Sequence, residues 1–292
     1  MFRGSIVAVA TPFQNDQVDE KTLRKLVQWH IKQGTDGIVP CGTTGESPTL
    51  SYKEHYRVIE ICIEEAKGKV PVIAGTGSNS TAEAIELTQH AKESGADAAL
   101  IVSPYYNRPT QEGLYRHFKK IADTVKIPII VYNIAGRTAV NIETSTLARL
   151  AKDCKNIVGV KEASGSLSQM MDVKAACGDK FDLLSGDDVL TLPLMSIGGT
   201  GIISVVANII PSDTAKMVQC FEKGDFASAK KLHYKMLPLV KAMFIETNPV
   251  PVKTAMGMMG LCSDEVRLPL CEMGADNKEK LRQALINYGL IK

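Results

Sequence analysis

The chain has 292 residues, of which 45% are hydrophobic and 23% are charged, and its net charge is only +2. This length exceeds that of a typical single domain, and the composition is ordinary for a soluble globular protein with a large core. No run of Lys or Arg predicts a surface for nucleic acids or membranes, and the longest apolar stretches, such as residues 201–211, are too short to span a bilayer. The N-terminus is a poor signal peptide, so we expect a cytoplasmic protein.

The metal-binding and redox-active residue types are scattered. The seven cysteines lie far apart with no C-x-x-C pair, and the five histidines form no H-E-x-x-H or H-x-H pair. The sequence therefore predicts no disulfide framework, no metal site and no cofactor.

Eight short apolar runs, rich in β-branched residues, recur along the chain. Most are nearly continuous, which is the pattern of strands buried on both faces of a parallel sheet. The predicted strands are residues 5–10, 37–41, 71–75, 98–102, 128–132, 157–161, 181–185 and 201–206.

Longer segments with helical periodicity separate these runs. In residues 19–34 the apolar positions share one helix face, and Gly34 can end the helix in the left-handed conformation. Ser51 precedes Glu54 by three residues, which predicts a capping box at the start of the next helix. The remaining predicted helices of this part are residues 81–94, 111–124, 142–153, 167–177 and 188–197.

Eight β-α units of about 30 residues predict an α/β fold of the closed (β/α)₈ type, the TIM barrel. A doubly wound open sheet is the alternative, although it usually has fewer strands. After residue 211 only helices follow, at 212–224, 225–244, 252–260 and 277–288. We therefore predict a barrel with most of its helices in residues 1–211, and a C-terminal helical extension, residues 212–292, packed on the barrel or on a partner subunit.

Lys161 is the sharpest candidate for chemistry, because it stands at the end of a buried strand. Active sites of such barrels lie at the carboxyl ends of the strands. Alternation places Lys161, Gly159 and Ile157 on one face and Val158 and Val160 on the other, and the small Gly159 would leave room for a substrate. Burial lowers the pKa of an amine, and a free amine can attack a ketone to form a Schiff base. The alternative is a strand-end lysine that reaches solvent or pairs with an acid.

Tyr132 ends the neighbouring strand, where its phenol could pass protons to and from a Schiff-base intermediate. It could instead be a core tyrosine with a satisfied hydroxyl. Thr43 and Thr44 lie in a glycine-flanked turn whose hydroxyls and free N–H groups suit a carboxylate, unless this is a plain βα turn. Arg137 could bind a second carboxylate through two hydrogen bonds, or it could form a surface ion pair.

Six motifs occur in order with compatible spacing: 42–47 (GTTGES), 104–109 (PYYNRP), Tyr132-Asn133 with Arg137-Thr138, 160–162 (VKE), 184–188 (LSGDD) and 248–253 (NPVPVK). Together they resemble the 4-hydroxy-tetrahydrodipicolinate synthase, or dihydrodipicolinate synthase, family over about residues 4–270. The resemblance implies a lyase that condenses pyruvate with L-aspartate 4-semialdehyde, at the entry to diaminopimelate and lysine biosynthesis.

The resemblance also implies a role for particular residues. Lys161 would be the Schiff-base lysine. Tyr132, Thr43 and Tyr106 would form a proton relay, with Tyr106 reaching in from the neighbouring subunit of a homotetramer built from two tight dimers. Of the remaining positions, Thr44 would contact the pyruvate carboxylate, Arg137 would bind the semialdehyde carboxylate, and Gly186 and Ile203 would line the pocket with their backbones.

Two features depart from the family pattern or vary within it. Ala135-Gly136 stands before Arg137 where proline and serine are common, so we expect a looser stretch there. Some members bind L-lysine as an inhibitor, and Tyr52 stands where lysine-sensitive enzymes often have histidine. The residues that match this allosteric site are Ser47, His55, Asn79, Glu83 and Tyr105.

Two other functions remain open at this stage. One is another pyruvate-dependent aldolase, such as N-acetylneuraminate lyase or a 2-keto-3-deoxy sugar-acid aldolase, which would share Lys161 and Tyr132. The other is a catalytically silent homologue that binds keto acids as a regulator.

Overall fold

Eight parallel strands form the centre of the computed structural model, which describes residues 2–292. The strands are β1 (Gly4–Ala8), β2 (Gly37–Val39), β3 (Ile73–Gly75), β4 (Ala98–Val102), β5 (Ile129–Asn133), β6 (Ile157–Glu162), β7 (Asp182–Ser185) and β8 (Gly201–Ser204). Their hydrogen-bonded order is β2-β1-β8-β7-β6-β5-β4-β3, so every strand lies beside its neighbours in sequence. All eight predicted strands are confirmed, with ends that differ by a few residues.

The sheet closes between β2 and β3. Ile38 forms a parallel bridge with Val72, and its N–H donates to the carbonyl of Pro71 at 3.0 Å. The N–H of Gly75 donates to the carbonyl of Pro40 at 2.9 Å. The prediction of a (β/α)₈ barrel is therefore confirmed, and the doubly wound sheet is excluded.

Helices follow the strands and carry the capping signals that the sequence predicts. The Ser51 side chain accepts from the N–H of Glu54, whose own side chain accepts from the N–H of Ser51, so the capping box is confirmed. The helices of this part are α1 (Glu20–Lys32), α2 (Tyr52–Ala66), α3 (Thr81–Glu93), α4 (Gln111–Thr124), α5 (Ala135–Thr138), α6 (Thr144–Asp153), α7 (Leu167–Cys177) and α8 (Thr191–Ser196).

A one-residue irregularity in β6 corrects the predicted alternation. Ile129 pairs with Ile157, but Ile130 pairs with Gly159, so Val158 is an extra residue. Ile157 and Val160 consequently share the outer hydrophobic cluster, whereas Val158 packs against the cluster inside the barrel. The prediction that Ile157 shares a face with Lys161 was wrong, because an extra residue reverses the alternation of side chains before it.

The C-terminal helices pack directly on the barrel. A single hydrophobic cluster joins Ile202 of β8 and Val205 to Met236, Leu239 and Leu281 of these helices. One hydrophobic core therefore contains residues from both sides of residue 211. The division of the chain at that residue stays a prediction. The helices are α9 (Pro211–Glu222), α10 (Phe226–Ala242), α11 (Val250–Met258) and α12 (Ala275–Tyr288).

A small antiparallel hairpin, which the sequence pattern did not predict, follows β1. Phe13–Gln14 pairs with Gln17–Val18 across a turn in which Asn15 and Asp16 both have positive φ. Two-residue strands are too short to show a period, and Asn and Asp tolerate the left-handed region better than most residues. The N–H groups of Asn15 and Asp16 donate to the carboxylate of Glu265, which ties the hairpin to the C-terminal region.

Candidate active site

Lys161 stands near the carboxyl end of β6 with only 6% of its surface exposed. Its Nζ lies 4.3 Å from the centre of the Tyr132 ring. The pKa of the amine is lowered to about 8, chiefly by desolvation; the buried carboxylate of Asp188 opposes this effect, and the charge of Arg137 adds to it. None of the ion pairs within residues 2–292 includes Lys161, so the alternative of a solvent-exposed or paired lysine is not what the structure contains.

Two glycines permit close packing around Lys161, one in its own strand and one after the neighbouring strand. A Cβ on Gly159 would lie 2.5 Å from the carbonyl oxygen of Asp182, so this glycine permits a close contact with β7. A Cβ on Gly186 would lie 3.1 Å from Cε of Lys161 and 2.6 Å from Cβ of Ala163. The space beside the lysine therefore depends on Gly186 and not, as the sequence alone suggests, on Gly159.

Tyr132 lies near the carboxyl end of β5, directly beside Lys161, which is its partner in the strand register. Burial raises the pKa of the phenol to about 12, against the lowering effects of the Arg137 charge and of a hydrogen bond with the Thr43 side chain. The phenol therefore keeps its proton at neutral pH and can donate it. Tyr132 is buried, as a core residue would be, but the pKa of its phenol responds to two candidate site residues, Arg137 and Thr43.

The turn after β2 is tightly folded. The N–H groups of Gly45, Glu46 and Ser47 donate to carbonyls within the turn, at 3.1 to 3.3 Å. A Cβ on Gly45 would lie 3.1 Å from the backbone nitrogen of Cys41, which explains the glycine. Fewer backbone donors are thus free for an anion than the glycine-flanked sequence predicts. Binding of an anion at this turn would therefore depend more on the hydroxyls of Thr43 and Thr44.

Arg137 lies on the short helix α5, where the sequence analysis expected a loose stretch. The N–H of Arg137 and the hydroxyl of Thr138 both donate to the carbonyl of Ile134, at 3.0 Å each, so the stretch forms a defined helical turn. The guanidinium Nη2 donates to the main-chain carbonyl of Asn248 at 3.0 Å. Arg137 is exposed and has a hydrogen-bonding partner in the chain's own backbone, rather than the surface carboxylate of an ion pair.

A cavity of about 530 Å³ opens at this end of the barrel. Thr43, Tyr132 and Arg137 line it, whereas Lys161, Thr44, Gly186 and Ile203 are not among its lining residues. Ile203 lies in the hydrophobic cluster inside the barrel. Of the residues that match a lysine site, those that line the same cavity are Ser47, His55, Glu83 and Tyr105.

His55 is a buried titratable group of this cavity. Both ring nitrogens are buried without a hydrogen-bond partner among the described residues. Desolvation lowers the pKa of the ring to about 4, so it is neutral at physiological pH. Asn79 lies nearby and donates to the carbonyl of Tyr105 at 3.2 Å.

Within this chain, Tyr106 does not line the cavity with Thr43 and Tyr132. Its side chain is 91% exposed, and its φ of +73° lies in the left-handed region that favours glycine. Asn107 donates to the carbonyl of Asn79 at 2.9 Å and so anchors the loop that carries it. A positive φ is uncommon for a bulky residue such as tyrosine.

Three polar groups near the site were not singled out from the sequence. Asn248 Nδ2 donates to Thr44 Oγ1 at 3.1 Å, and Lys253 Nζ pairs with Glu46 Oε1 at 2.6 Å, both from the C-terminal region. Asp188 accepts from Ser204 Oγ at 2.5 Å. The motif at 248–253 was visible in the sequence, but its distance from residues 43–46 gave no local sign of contact.

Within residues 2–292, no three His, Cys, Asp or Glu side chains are grouped so that they could hold a metal ion. Within the same range, the helices are all too short or too polar to cross a membrane.

Comparison with known proteins adds to this geometry. The model of the dihydrodipicolinate synthetase family matches residues 1–287. The 4-hydroxy-tetrahydrodipicolinate synthase of Endomicrobium trichonymphae is 61% identical over 292 residues, covering all of both chains. The crystal structure of dihydrodipicolinate synthase from Aquifex aeolicus is 51% identical over 99% of each chain, with a TM-score of 0.98. The chloride-inhibited enzyme from Acinetobacter baumannii, complexed with pyruvate, is 48% identical over 100% of each chain, with a TM-score of 0.97.

A buried, unpaired lysine beside a phenol, at the carboxyl end of a (β/α)₈ barrel, defines the class of lyases that work through a lysine Schiff base. Within that class the chain belongs to the dihydrodipicolinate synthetase family.

Proposed function

We propose that this enzyme condenses pyruvate with L-aspartate 4-semialdehyde, through a Schiff base on Lys161, to give 4-hydroxy-tetrahydrodipicolinate. The observation that carries the proposal is the amine of Lys161, which is buried, free of any carboxylate partner and has a pKa of about 8. Attack of this amine on the keto carbon of pyruvate, with loss of water, forms an imine. The imine withdraws electrons from the methyl carbon, which loses a proton and adds to the aldehyde. The amino group of the semialdehyde then attacks the imine carbon, which closes the ring and releases the amine of Lys161.

Proton transfer in these steps is assigned to Tyr132 and Thr43. The Thr43 side chain lies close enough to the Tyr132 hydroxyl to lower its pKa, and the Tyr132 ring lies beside the lysine, where its hydroxyl would serve the carbinolamine oxygen that must leave as water. Tyr106 would complete the relay from a neighbouring subunit, which is consistent with its 91% exposure in the single chain. We accordingly propose a homotetramer made of two dimers, working in the cytoplasm.

The two carboxylates of the substrates are assigned to separate groups. Thr44 would bind the carboxylate of pyruvate, with the backbones of Gly186 and Ile203 lining the pocket. Arg137 would bind the carboxylate of the semialdehyde with two of its N–H groups. These assignments are supported by the closeness of both side chains to Asn248.

The decisive experiment pairs turnover with trapping of the imine. Pyruvate and L-aspartate 4-semialdehyde are supplied together, and the product is followed through NADPH consumption by the downstream reductase. We expect turnover in the wild type and its loss in Lys161→Ala, together with loss of borohydride-trapped pyruvate. Lys126→Ala, which changes a lysine whose Nζ bonds only a helix carbonyl, is the control.

Other outcomes separate the alternatives. Unchanged turnover in Lys161→Ala would refute the mechanism. Cleavage of N-acetylneuraminate or a 2-keto-3-deoxy sugar acid without synthase activity would assign a sugar-acid aldolase. Imine trapping without turnover of any aldehyde would assign a silent keto-acid binder.

Regulation by L-lysine is a further proposal, at the part of the cavity formed by Ser47, His55, Glu83 and Tyr105, with Asn79 beside it. Glu83 could pair with an ammonium group, and the neutral His55 has unused hydrogen-bonding capacity. Synthase activity that stays flat up to millimolar lysine would refute the proposal.

A further inference from the structure

Asn248 joins the two groups to which the substrate carboxylates are assigned. Its side-chain Nδ2 donates to Thr44 Oγ1 at 3.1 Å, and its main-chain carbonyl accepts from Arg137 Nη2 at 3.0 Å. Asn248 is 4% exposed and Thr44 is 2% exposed. One residue of the C-terminal region therefore contacts side chains from two separate loops of the barrel.

The contact with Thr44 determines where the threonine hydroxyl can direct its proton. A hydroxyl has one proton to donate and two lone pairs that accept. Because the amide of Asn248 donates to one lone pair, the proton of Thr44 remains available for another acceptor. In a buried site such a fixed donor interacts strongly with a carboxylate, since water does not compete for it.

The contact with Arg137 restricts a long and otherwise exposed side chain. One N–H of the guanidinium is fixed on the carbonyl of Asn248, and the other donors remain in the plane of the group. Two of those donors can bind a carboxylate side by side. This anchor uses the backbone of residue 248, so it does not depend on the side chain at that position.

The segment that carries Asn248 is itself held against the Thr44 turn. Lys253, five residues later, pairs with Glu46, two residues after Thr44, at 2.6 Å. Both side chains of this pair are at most 1% exposed. The same two segments are thus joined twice, once by a neutral hydrogen bond and once by an ion pair.

We propose that Asn248 is a positioning residue that orients the Thr44 hydroxyl toward the carboxylate of the keto acid and aligns Arg137 for the carboxylate of the aldehyde. The proposal rests on the function proposed above. It assigns to the C-terminal region a part in selecting substrates that each carry a carboxylate.

The test is a double-mutant cycle between Asn248 and Thr44. We expect Asn248→Ala to raise the KM for pyruvate about tenfold, the effect of a lost hydrogen bond that supports a charged ligand. In a Thr44→Val background the same change should have less than a twofold effect. The KM for the aldehyde should change less than threefold in Asn248→Ala, because the carbonyl that anchors Arg137 is retained. Asn277→Ala, which removes an amide bonded to Glu246, is the control.

Two results would overturn the positioning role. One is a KM for pyruvate in the double variant that rises by the product of the increases in Asn248→Ala and Thr44→Val, and the other is an unchanged KM for pyruvate in Asn248→Ala. If Asn248→Ala does not fold, Asn248→Asp keeps the shape of the side chain but replaces the donor with an acceptor, and the KM for pyruvate must then rise. An absence of wild-type turnover would refute the proposed function. Normal wild-type turnover without coupling between Asn248 and Thr44 would refute the role of Asn248 alone.

Discussion

At the scale of single residues, the proposed role of Lys161 ties the activity of the enzyme to the environment of one amine. In the proposed mechanism the amine must lose its proton before it attacks a ketone, and its pKa is about 8. We therefore expect kcat/KM for pyruvate to fall about tenfold for each pH unit below 8 and to level off above it. A pH profile of the wild type between 6 and 10 measures this. A midpoint near the ordinary lysine value of 10.5 would contradict the effect of burial.

Asp188 is the buried acid whose charge acts on Lys161. Its negative charge favours the ammonium form and so raises the pKa of the lysine against the effect of desolvation. Asp188→Asn removes the charge, and the acid side of the pH profile should move to lower pH. Asp187→Asn, beside it, is the control. An unchanged midpoint in Asp188→Asn would contradict an effect of the Asp188 charge on Lys161.

At the scale of elements, the sequence predicts those features that depend on a short, continuous stretch of residues. Continuous apolar runs located all eight strands, and the Ser51–Glu54 signal located a helix start. The irregularity at Val158 could not be predicted, because it depends on how β6 pairs with β5. The contacts of Asn248 and Lys253 were missed for a similar reason, since their partners lie 204 and 207 residues away.

The buried pair between α11 and the turn after β2 makes a prediction about stability. Lys253→Met leaves the Glu46 carboxylate buried, with the N–H of Arg267 as a remaining donor. Breaking a buried pair on one side costs about 3–5 kcal/mol, so the midpoint of thermal unfolding should fall clearly. The double variant Glu46→Gln with Lys253→Met should recover most of the loss.

The control for this prediction is an exposed pair. Lys119 and Asp123 form an ion pair on the surface of α4 at 2.9 Å, and Lys119→Met should change the free energy of unfolding by less than about 1 kcal/mol. If the single and double variants at Glu46 and Lys253 were equally destabilised, the loss would come from packing and not from an uncompensated charge.

At the scale of the whole molecule, the proposed role of Tyr106 requires a second subunit. Tyr106→Phe should lower kcat, because the relay loses a hydroxyl, whereas Tyr234→Phe at another exposed tyrosine should not. Mixing subunits gives the sharper measurement. Unfolding and refolding Lys161→Ala together with Tyr106→Phe should restore activity, since a site with an intact Lys161 can then receive the partner subunit's Tyr106. No recovery in mixed oligomers would place Tyr106 outside the relay.

The ties between the C-terminal region and the turn after β2 also bear on how the protein is made. Glu46 is contacted by Lys253 and by the N–H of Arg267, 207 and 221 residues further along the chain. The ribosome synthesises all eight strands of the barrel before these partners, and domains generally fold as units during synthesis. The turn that carries Thr43 and Thr44 is therefore locked only when synthesis has passed residue 267. A nascent chain interrupted between residues 204 and 248 would contain every strand and Lys161, yet it would lack the partners of Glu46 and the anchor of Arg137.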